Sequence, residues 1–222
     1  MTDAEPPTAG RHRGPRMARA ERRSQLLAVA QHLFASEGFH HVSMDDIADR
    51  AEVSKPVLYR HFPSKLDLYL AVVDAQGETL RAAVERAVEP VERGPVEPGQ
   101  GRRVVAAVVA AYLDFVQVAG EASALLFESD VTHDADVRAR VERGPVEAAH
   151  RIRDVLLQVT TLPAEDADVL AATLISTAQG AATYWWRHAR HTDPAHVVAL
   201  VSALVWRGVA GLLRPDVTHE GA

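Results

Sequence analysis

The fold of this chain is decided by the stretch Ser54-Lys-Pro-Val-Leu-Tyr-Arg-His-Phe-Pro-Ser-Lys-Leu-Asp-Leu-Tyr-Leu-Ala-Val72. It contains Lys55 and Lys65, which are the only lysines among the 222 residues of the chain. A lysine ammonium is a compact, strongly hydrated charge. Two of them on either side of the Tyr-Arg-His run at 59–61 indicate a surface that faces a polyanion.

The residues before and within this stretch predict two short helices. Ser43, followed three residues later by Asp46, predicts a helix start, because the serine side chain caps the first turn and a carboxylate is stabilised there. Glu52-Val53 forms the predicted turn, and Ser54 starts a second helix that runs to about Phe62. Two short helices joined by a tight turn make a helix-turn-helix.

One face of the second helix carries residue types that contact DNA. Phosphates are met by basic side chains, hydroxyl groups and helix N-terminal amides, while the first turn reaches base edges. Lys55 is the first candidate for reading a base, followed by Arg60; the side chains of Pro56 and Val57 can contact only a thymine methyl group. The predicted DNA-binding residues are Ser43, Met44, Ser54, Lys55, Pro56, Val57, Tyr59, Arg60, His61 and Lys65.

The pattern Val-Ser-x4-Tyr-x-His-Phe-x-x-Lys at 53–65 resembles the TetR family of transcriptional regulators. The resemblance implies that Tyr59, His61 and Lys65 belong to the DNA-contact surface. It also implies that the chain is a repressor, as members of the family most often are. Glu52 stands where the family has a glycine, which leaves the conformation of the turn open. Taken singly, the same three side chains could instead pack, cap the helix end or lie in solvent.

Charge is distributed as a DNA-reading head on an acidic body would require. Residues 1–66 carry ten Lys and Arg against eight Asp and Glu, whereas the remainder carries fourteen against twenty-two, for a net charge of −6. Residues 1–17 are predicted to be a disordered basic tail, which either enters a minor groove or only solubilises the protein. The arginines clustered near this end are Arg11, Arg13, Arg16, Arg19, Arg22 and Arg23.

Length and composition predict a soluble, cytoplasmic protein with no membrane partner. The chain has no cysteine, which excludes a disulfide framework and a thiolate metal site. We expect no apolar stretch to reach the roughly 18 residues that span a bilayer, and no signal segment is visible at the N-terminus.

Apolar residues recur with helical spacing throughout, so the predicted fold class is all-α. A three-helix helix-turn-helix domain at 18–66 precedes a helical ligand-binding and dimerisation domain at 67–214 and a disordered tail at 215–222. Gly144-Pro145 falls inside a predicted helix, which should be bent or broken there. The predicted helices after the motif cover 64–89, 102–119, 121–131, 134–159, 164–191 and 194–213, with a loop at 90–101.

The last two predicted helices carry stripes of small and apolar residues, which predict a homodimer built from both helices of each subunit. A core stripe inside one protomer is the alternative that periodicity leaves open. The stripes are Leu170, Leu174, Ala178 and Ala181 on the first helix and Val197, Val201, Leu204, Gly208 and Leu212 on the second.

The body is predicted to enclose a small hydrophobic effector, although each candidate lining residue could also be ordinary core. The candidates are Phe115, Leu126, Phe127, His150, Tyr184 and Trp185. The runs at 64–72 and 125–130 and the pair at 184–185 resemble actinobacterial TetR-type regulators of fatty-acid synthesis, which implies long-chain acyl-CoA as effector.

A helical enzyme or metal-binding protein with a DNA-binding head is the alternative function. His188, His191 and His196 lie close in sequence but lack the fixed spacing of a metal site. Asp45-Asp46 is explained by a helix N-terminus better than by acid–base catalysis. The sequence therefore predicts no catalytic residue, metal or cofactor, and a double-stranded DNA operator as the partner.

Overall fold

The computed structural model describes residues 19–92, 99–127 and 135–210. These residues confirm the all-α fold class, while the predicted tails at 1–17 and 215–222 lie outside them. The helices are α1 (Arg19–Glu37), α2 (Met44–Arg50), α3 (Lys55–His61), α4 (Lys65–Glu92), α5 (Gln100–Ala119), α6 (Ala124–Phe127), α7 (Ala135–Val159), α8 (Ala164–His188) and α9 (Pro194–Ala210).

Helices α1 to α3 form the head, and its core is built from one apolar face of each helix. Leu26, Phe34, Ile47 and Leu58 are almost fully buried there. Tyr69 of α4 closes the core, with its ring 5.3 Å from the ring of Phe34 in an edge-to-face arrangement that aromatic pairs favour. The head is therefore packed directly onto the first turns of α4.

Helix α4 is shared by the head and by the body, which comprises α5 to α9. It contacts α1 on one side and α5 and α7 on the other. The Gln76 side-chain amide donates a 2.8 Å hydrogen bond to the side-chain oxygen of Gln31 on α1. The helix continues to Glu92, three residues beyond the predicted end, through the start of the predicted loop. A displacement of α4 within the body would therefore move the head.

Helix α5 is the central helix of the body and contacts α4, α8 and α9. The segment Gln100–Phe127 has an 18-residue window of mean hydropathy 1.6 and is, by length and composition, long and apolar enough to cross a membrane. The expectation that no apolar stretch reaches this length is therefore wrong. We interpret α5 as the core helix of the bundle, because it is covered by helices on several sides.

Two predicted helices differ in the structure. The helix predicted at 121–131 is a 3-10 turn, Gly120–Ser123, followed by the single turn of α6, because Gly120 ends α5 with a φ of +58°. Residues 128–134 lie outside the described ranges. Helix α7 runs continuously through Pro145, so it is not broken there, and the alternative of a bend stays a prediction. The 3-10 turn and α6 contact α1 and thereby join the body to the head a second time.

Candidate DNA-binding surface and ligand cavities

The start of α2 is fixed by a reciprocal capping box. The Ser43 hydroxyl accepts a hydrogen bond from the Asp46 backbone N–H at 3.1 Å, and the Asp46 carboxylate accepts one from the Ser43 backbone N–H at 2.8 Å. The Ser43 hydroxyl also donates to Oδ2 of Asp46 at 2.6 Å, and this bond, followed by the bond from the Ser43 backbone N–H, lowers the pKa of Asp46. The helix start predicted from Ser43 and Asp46 is confirmed.

The turn between α2 and α3 keeps the geometry that glycine usually supplies. Glu52 has a φ of +53°, its N–H donates to the Asp49 carbonyl at 3.1 Å, and the Val53 N–H donates to the Ala48 carbonyl at 3.0 Å. This pair of bonds is the Schellman motif that ends a helix. A side chain at such a φ costs roughly 1–2 kcal/mol relative to glycine, and the turn forms in spite of that cost.

Helix α3 presents the predicted DNA-contact face at the surface. Leu58 is buried in the head, while Pro56 lies in the first turn of the helix. Tyr59 is 47 % exposed, a large value for an aromatic side chain. Ser43, Ser54, Lys55, Pro56, Tyr59 and Arg60 are exposed, Val57, His61 and Lys65 are half-buried, and Met44 is buried. The structure thus brings nine of the ten predicted side chains to the surface, and Met44 belongs to the core.

Lys55 is held by a carboxylate of the other helix of the motif. Its ammonium lies 2.6 Å from Oδ2 of Asp45, and both side chains are exposed. The hydrogen bond to Asp45 and its charge raise the pKa of Lys55. A base contact by this lysine therefore requires it to leave Asp45.

Lys65 has a structural role that the sequence did not indicate. Its ammonium donates to the backbone carbonyls of Phe39 at 2.9 Å and Val42 at 3.0 Å, and it lies 4.3 Å from the centroid of the Phe39 ring. These contacts tie the start of α4 to the loop between α1 and α2. The predicted phosphate contact by Lys65 stays a prediction, and any such contact would share an ammonium that already has two acceptors.

Replacing Lys65 with methionine should destabilise the protein by about 1–3 kcal/mol, because two carbonyl groups are deprived of their shared donor while the aliphatic volume is kept. Chemical denaturation measures this change. Lys55→Met is the matched control, since that lysine and its partner Asp45 are exposed, and it should leave the free energy of unfolding almost unchanged. Equal stability of both variants would contradict the structural role of Lys65.

The same Lys65→Met variant tests the phosphate contact. If Lys65 binds one phosphate, its replacement should lower the slope of log K against log salt concentration by about 1. A slope equal to that of the unmodified protein would show that Lys65 acts on DNA only through the fold of the head.

Arginines of α1 extend the basic surface beyond α3. Arg23 lies over the ring of Phe62, with 4.4 Å from its guanidinium carbon to the ring centroid. Burial, and then the positive charges of Arg19 and Arg60, lower the pKa of His61. In sequence, Arg19 and Arg23 belong to the N-terminal arginine cluster, whereas the structure places them on a helix beside the end of α3.

Within residues 19–92, 99–127 and 135–210, the predicted ligand-binding residues border different cavities. Phe115 lines a groove of about 650 Å³ between α1, α4 and α5, while Phe127 and Tyr184 line a cavity of about 410 Å³ beside α8. His150 borders a charged cleft of about 650 Å³ between α4 and α7. Leu126 and Trp185 are buried in the core of the body.

Phe115 and Phe127, two of the predicted ligand-binding residues, belong to an aromatic cluster that also contains Tyr112. The ring of Phe127 stacks on Tyr112 with a centroid distance of 6.1 Å and meets Phe115 edge-to-face at 5.5 Å. Tyr112 was not predicted as a site residue. Its apolar neighbours on α5 make it indistinguishable in sequence from any other core aromatic.

The exposed apolar face of α8 is not the predicted stripe. Ala178 is buried, and Leu170 and Leu174 pack against the core of the protomer, as the intramolecular alternative states. The exposed face of α8 lies on the adjacent side and consists of Val169, Thr173, Ser176, Gly180 and Tyr184. On α9, Leu204 and Gly208 of the predicted stripe are exposed, as is Leu200. Val197 and Val201 of the stripe pack inward, and Leu212 lies outside the described residues.

Among residues 19–92, 99–127 and 135–210, no group of three or more His, Cys, Asp or Glu side chains is arranged to hold a metal ion. The ring of His188 instead contacts Tyr184, with 5.1 Å between ring centroids. This contact is local, because the two residues are four apart on α8.

Comparison with known proteins extends these observations over nearly the whole chain. The family model of bacterial regulatory proteins of the TetR family matches residues 26–72. The HTH-type transcriptional activator FasR of Mycolicibacterium smegmatis is 34 % identical over 204 residues, which cover 92 % of this chain and 90 % of that protein.

Solved structures share the fold. The crystal structure of a TetR-like transcriptional regulator from Rhodococcus sp. RHA1 matches with a TM-score of 0.67 and 27 % identity, covering 88 % of this chain and 100 % of that one. FadR from Bacillus subtilis, in complex with stearoyl-CoA, matches with a TM-score of 0.66 and 15 % identity over 82 % of this chain and 96 % of its own, which shows the fold alone. With a helix-turn-helix head, a helical body and a relative similar over nearly its full length, this chain belongs to the TetR family of DNA-binding transcriptional regulators.

Proposed function

We propose that this protein binds a double-stranded DNA operator as a homodimer and that a small hydrophobic ligand in its body modulates this binding. The observation that carries the proposal is the exposed polar and basic face of α3 on a head joined to the body by α4. A ligand that binds to α5, α7 or α8 can shift α4 only if it has a higher affinity for one position of α4 than for another. We also propose a DNA-binding domain at 18–66 and a ligand-binding and dimerisation domain at 67–214, which the packing of α1 to α3 around one core supports. A cytoplasmic location is the one that operator binding requires.

The exposed faces of α8 and α9 support the homodimer. Val169, Tyr184, Leu200 and Leu204 are each more than 60 % exposed, which is costly for large apolar side chains on a lone protomer. A two-fold axis through these faces would bury them and present two copies of α3 to successive major grooves. A protomer bound alone would read only half of such a site.

A long-chain acyl-CoA is the effector that we propose. The similarity to FasR extends through the whole body rather than the head alone, and the fold of FadR accommodates stearoyl-CoA. The groove between α1, α4 and α5 has six alanines among its thirteen lining residues and lies at the junction of head and body. FasR, which is similar over most of this chain, is named an activator. Repression by this protein therefore stays a prediction.

Fluorescence anisotropy of the purified protein tests this function with a DNA fragment from upstream of its own gene. We expect tight binding that weakens between about 50 and 200 mM salt, as phosphate contacts require, and an affinity that changes when palmitoyl-CoA is added. Binding that ignores palmitoyl-CoA would keep the regulator and exclude this effector. If neither this fragment nor a set of genomic fragments were bound, the proposed function would be wrong.

A further inference from the structure

The hydroxyl group of Tyr112 is buried without a hydrogen-bond partner in the part of the chain that the structure describes. Tyr112 is fully buried, at 0 % exposure. An unpaired buried hydroxyl carries a free-energy cost, and nearly all such groups in native proteins find a partner. Phenylalanine at this position would fill almost the same volume without that cost.

The position of Tyr112 suggests what the missing partner is. Its ring stacks on Phe127, which lines the 410 Å³ cavity beside α8. Phe127 in turn contacts Phe115, which lines the 650 Å³ groove at the head. The three rings thus separate two openings of the body, and Tyr112 contributes the polar atom of the cluster.

Phe127 is the ring of this cluster that the backbone holds least firmly. It is the last residue of α6, a single helical turn, and its side chain is half-buried. A four-residue helix has few internal hydrogen bonds, so its local opening costs less free energy than opening α5. A ligand that displaces the Phe127 ring would reach Tyr112.

We propose that the Tyr112 hydroxyl is the polar anchor of the effector site and donates a hydrogen bond to the acyl carbonyl oxygen of the ligand. The aliphatic chain of that ligand would lie against the rings of Phe115 and Phe127. This inference rests on the proposed function, because it concerns the acyl effector named there. An acyl thioester and a free fatty acid share this acceptor group, and the experiment separates the two sources.

Tyr112 has the protonation state that a donor needs. Burial raises the pKa of its hydroxyl above the ordinary value for tyrosine, so the O–H proton is present at neutral pH. The hydroxyl is also fully buried, and a hydrogen bond is stronger in such an environment than in solvent.

Ser202 on α9 provides a matched control. Its hydroxyl is also buried without a partner in the described part of the chain. Ser202 is not a member of the aromatic cluster of Tyr112, Phe115 and Phe127. Tyr112→Phe and Ser202→Ala each remove a single unpaired hydroxyl. Both variants should therefore keep or slightly raise the thermal midpoint of the protein.

Isothermal titration of both variants and of the unmodified protein with palmitoyl-CoA, and separately with palmitate, tests the anchor. Whichever of the two probes the unmodified protein binds, Tyr112→Phe should bind it about tenfold more weakly, the loss expected for one hydrogen bond. Ser202→Ala should bind like the unmodified protein. Binding of palmitoyl-CoA alone identifies the thioester as the ligand, whereas binding of palmitate alone identifies the free acid.

Several results would overturn the anchor. If Tyr112→Phe binds the acyl probe as tightly as the unmodified protein, the Tyr112 hydroxyl is not the anchor, although the acyl ligand can still be the effector. A lowered thermal midpoint of Tyr112→Phe shows that the hydroxyl has a structural partner instead. If the unmodified protein binds neither probe, the acyl effector of the proposed function fails and the anchor fails with it; operator binding would still stand or fall on the anisotropy result.

Discussion

Replacing Gly180 with glutamate should leave the protomer folded and lower its affinity for the operator by at least about a hundredfold. A Cβ atom added at Gly180 meets no other heavy atom within 4 Å, and the residue lies on the exposed face of α8 with Val169 and Tyr184. Glutamate is a better helix former than glycine by roughly 0.5–1 kcal/mol. The substitution therefore creates no clash within one protomer, although it adds a carboxylate to the wall of the 410 Å³ cavity beside α8.

The loss of affinity comes from the partner subunit. In the proposed dimer, a charged side chain at Gly180 would be buried between two apolar faces, which is strongly unfavourable without a partner charge. Two linked heads bind DNA about 10²–10⁴ times more tightly than one, because the second head engages at a high effective concentration. A monomer is without that gain although its own α3 is intact.

Sedimentation velocity measures the first effect and fluorescence anisotropy the second. Gly144→Glu is the matched control, because a Cβ at Gly144 also meets nothing within 4 Å but lies on α7, beside the charged cleft. This control should remain dimeric and keep its operator affinity. A Gly180→Glu variant that still sediments as a dimer would exclude this face of α8 as the interface.

The head was predictable from the sequence because its determinants are local. The capping pair Ser43 and Asp46 is three residues apart, and the Tyr-x-His-Phe-x-x-Lys pattern spans a single helix end. Glu52 shows the limit of this reasoning, since the sequence left the conformation of the turn open and two backbone hydrogen bonds resolve it. Local signals fix which helices form and where they begin.

Contacts between distant parts of the chain were not predictable in the same way. Lys65 donates to carbonyls 26 and 23 residues earlier in the chain, and no sequence pattern encodes a backbone acceptor. On α8, apolar and small residues occur on adjacent faces, so helical periodicity could not tell the buried Ala178 face from the exposed Gly180 face. The predicted ligand residues border different cavities in the described part of the chain. The sequence could not show this, because the relative rotation of packed helices decides which side chains meet.

Replacing Lys55 with methionine should weaken operator binding by between about thirtyfold and about twenty-five-thousandfold. Removal of one base contact costs roughly 1–3 kcal/mol, and the proposed dimer makes one such contact in each half-site. The variant should also accept a changed base pair at one position of each half-site. Anisotropy with the operator and with single-base variants of it measures both quantities.

Arg102→Met is the control for the removal of charge, because Arg102 is an exposed arginine in the first turn of α5, outside the helix-turn-helix. It should change operator affinity only slightly and preserve the base preference. If Lys55→Met instead weakened binding equally on every sequence, Lys55 would be a phosphate contact rather than a base reader.

The ion pair between Lys55 and Asp45 makes the role of this lysine testable from the opposite direction. Asp45→Asn removes the carboxylate that holds the ammonium at 2.6 Å and also removes a negative charge from the DNA-facing side. An exposed pair of this kind contributes at most about 1 kcal/mol to stability, so the head should remain folded. Operator binding should tighten, because Lys55 no longer has to leave a competing acceptor, and in the Asp45→Asn/Lys55→Met double variant most of that gain should disappear. A gain of equal size in both backgrounds would mean that Asp45 acts by simple repulsion of DNA and that its contact with Lys55 has no part in recognition.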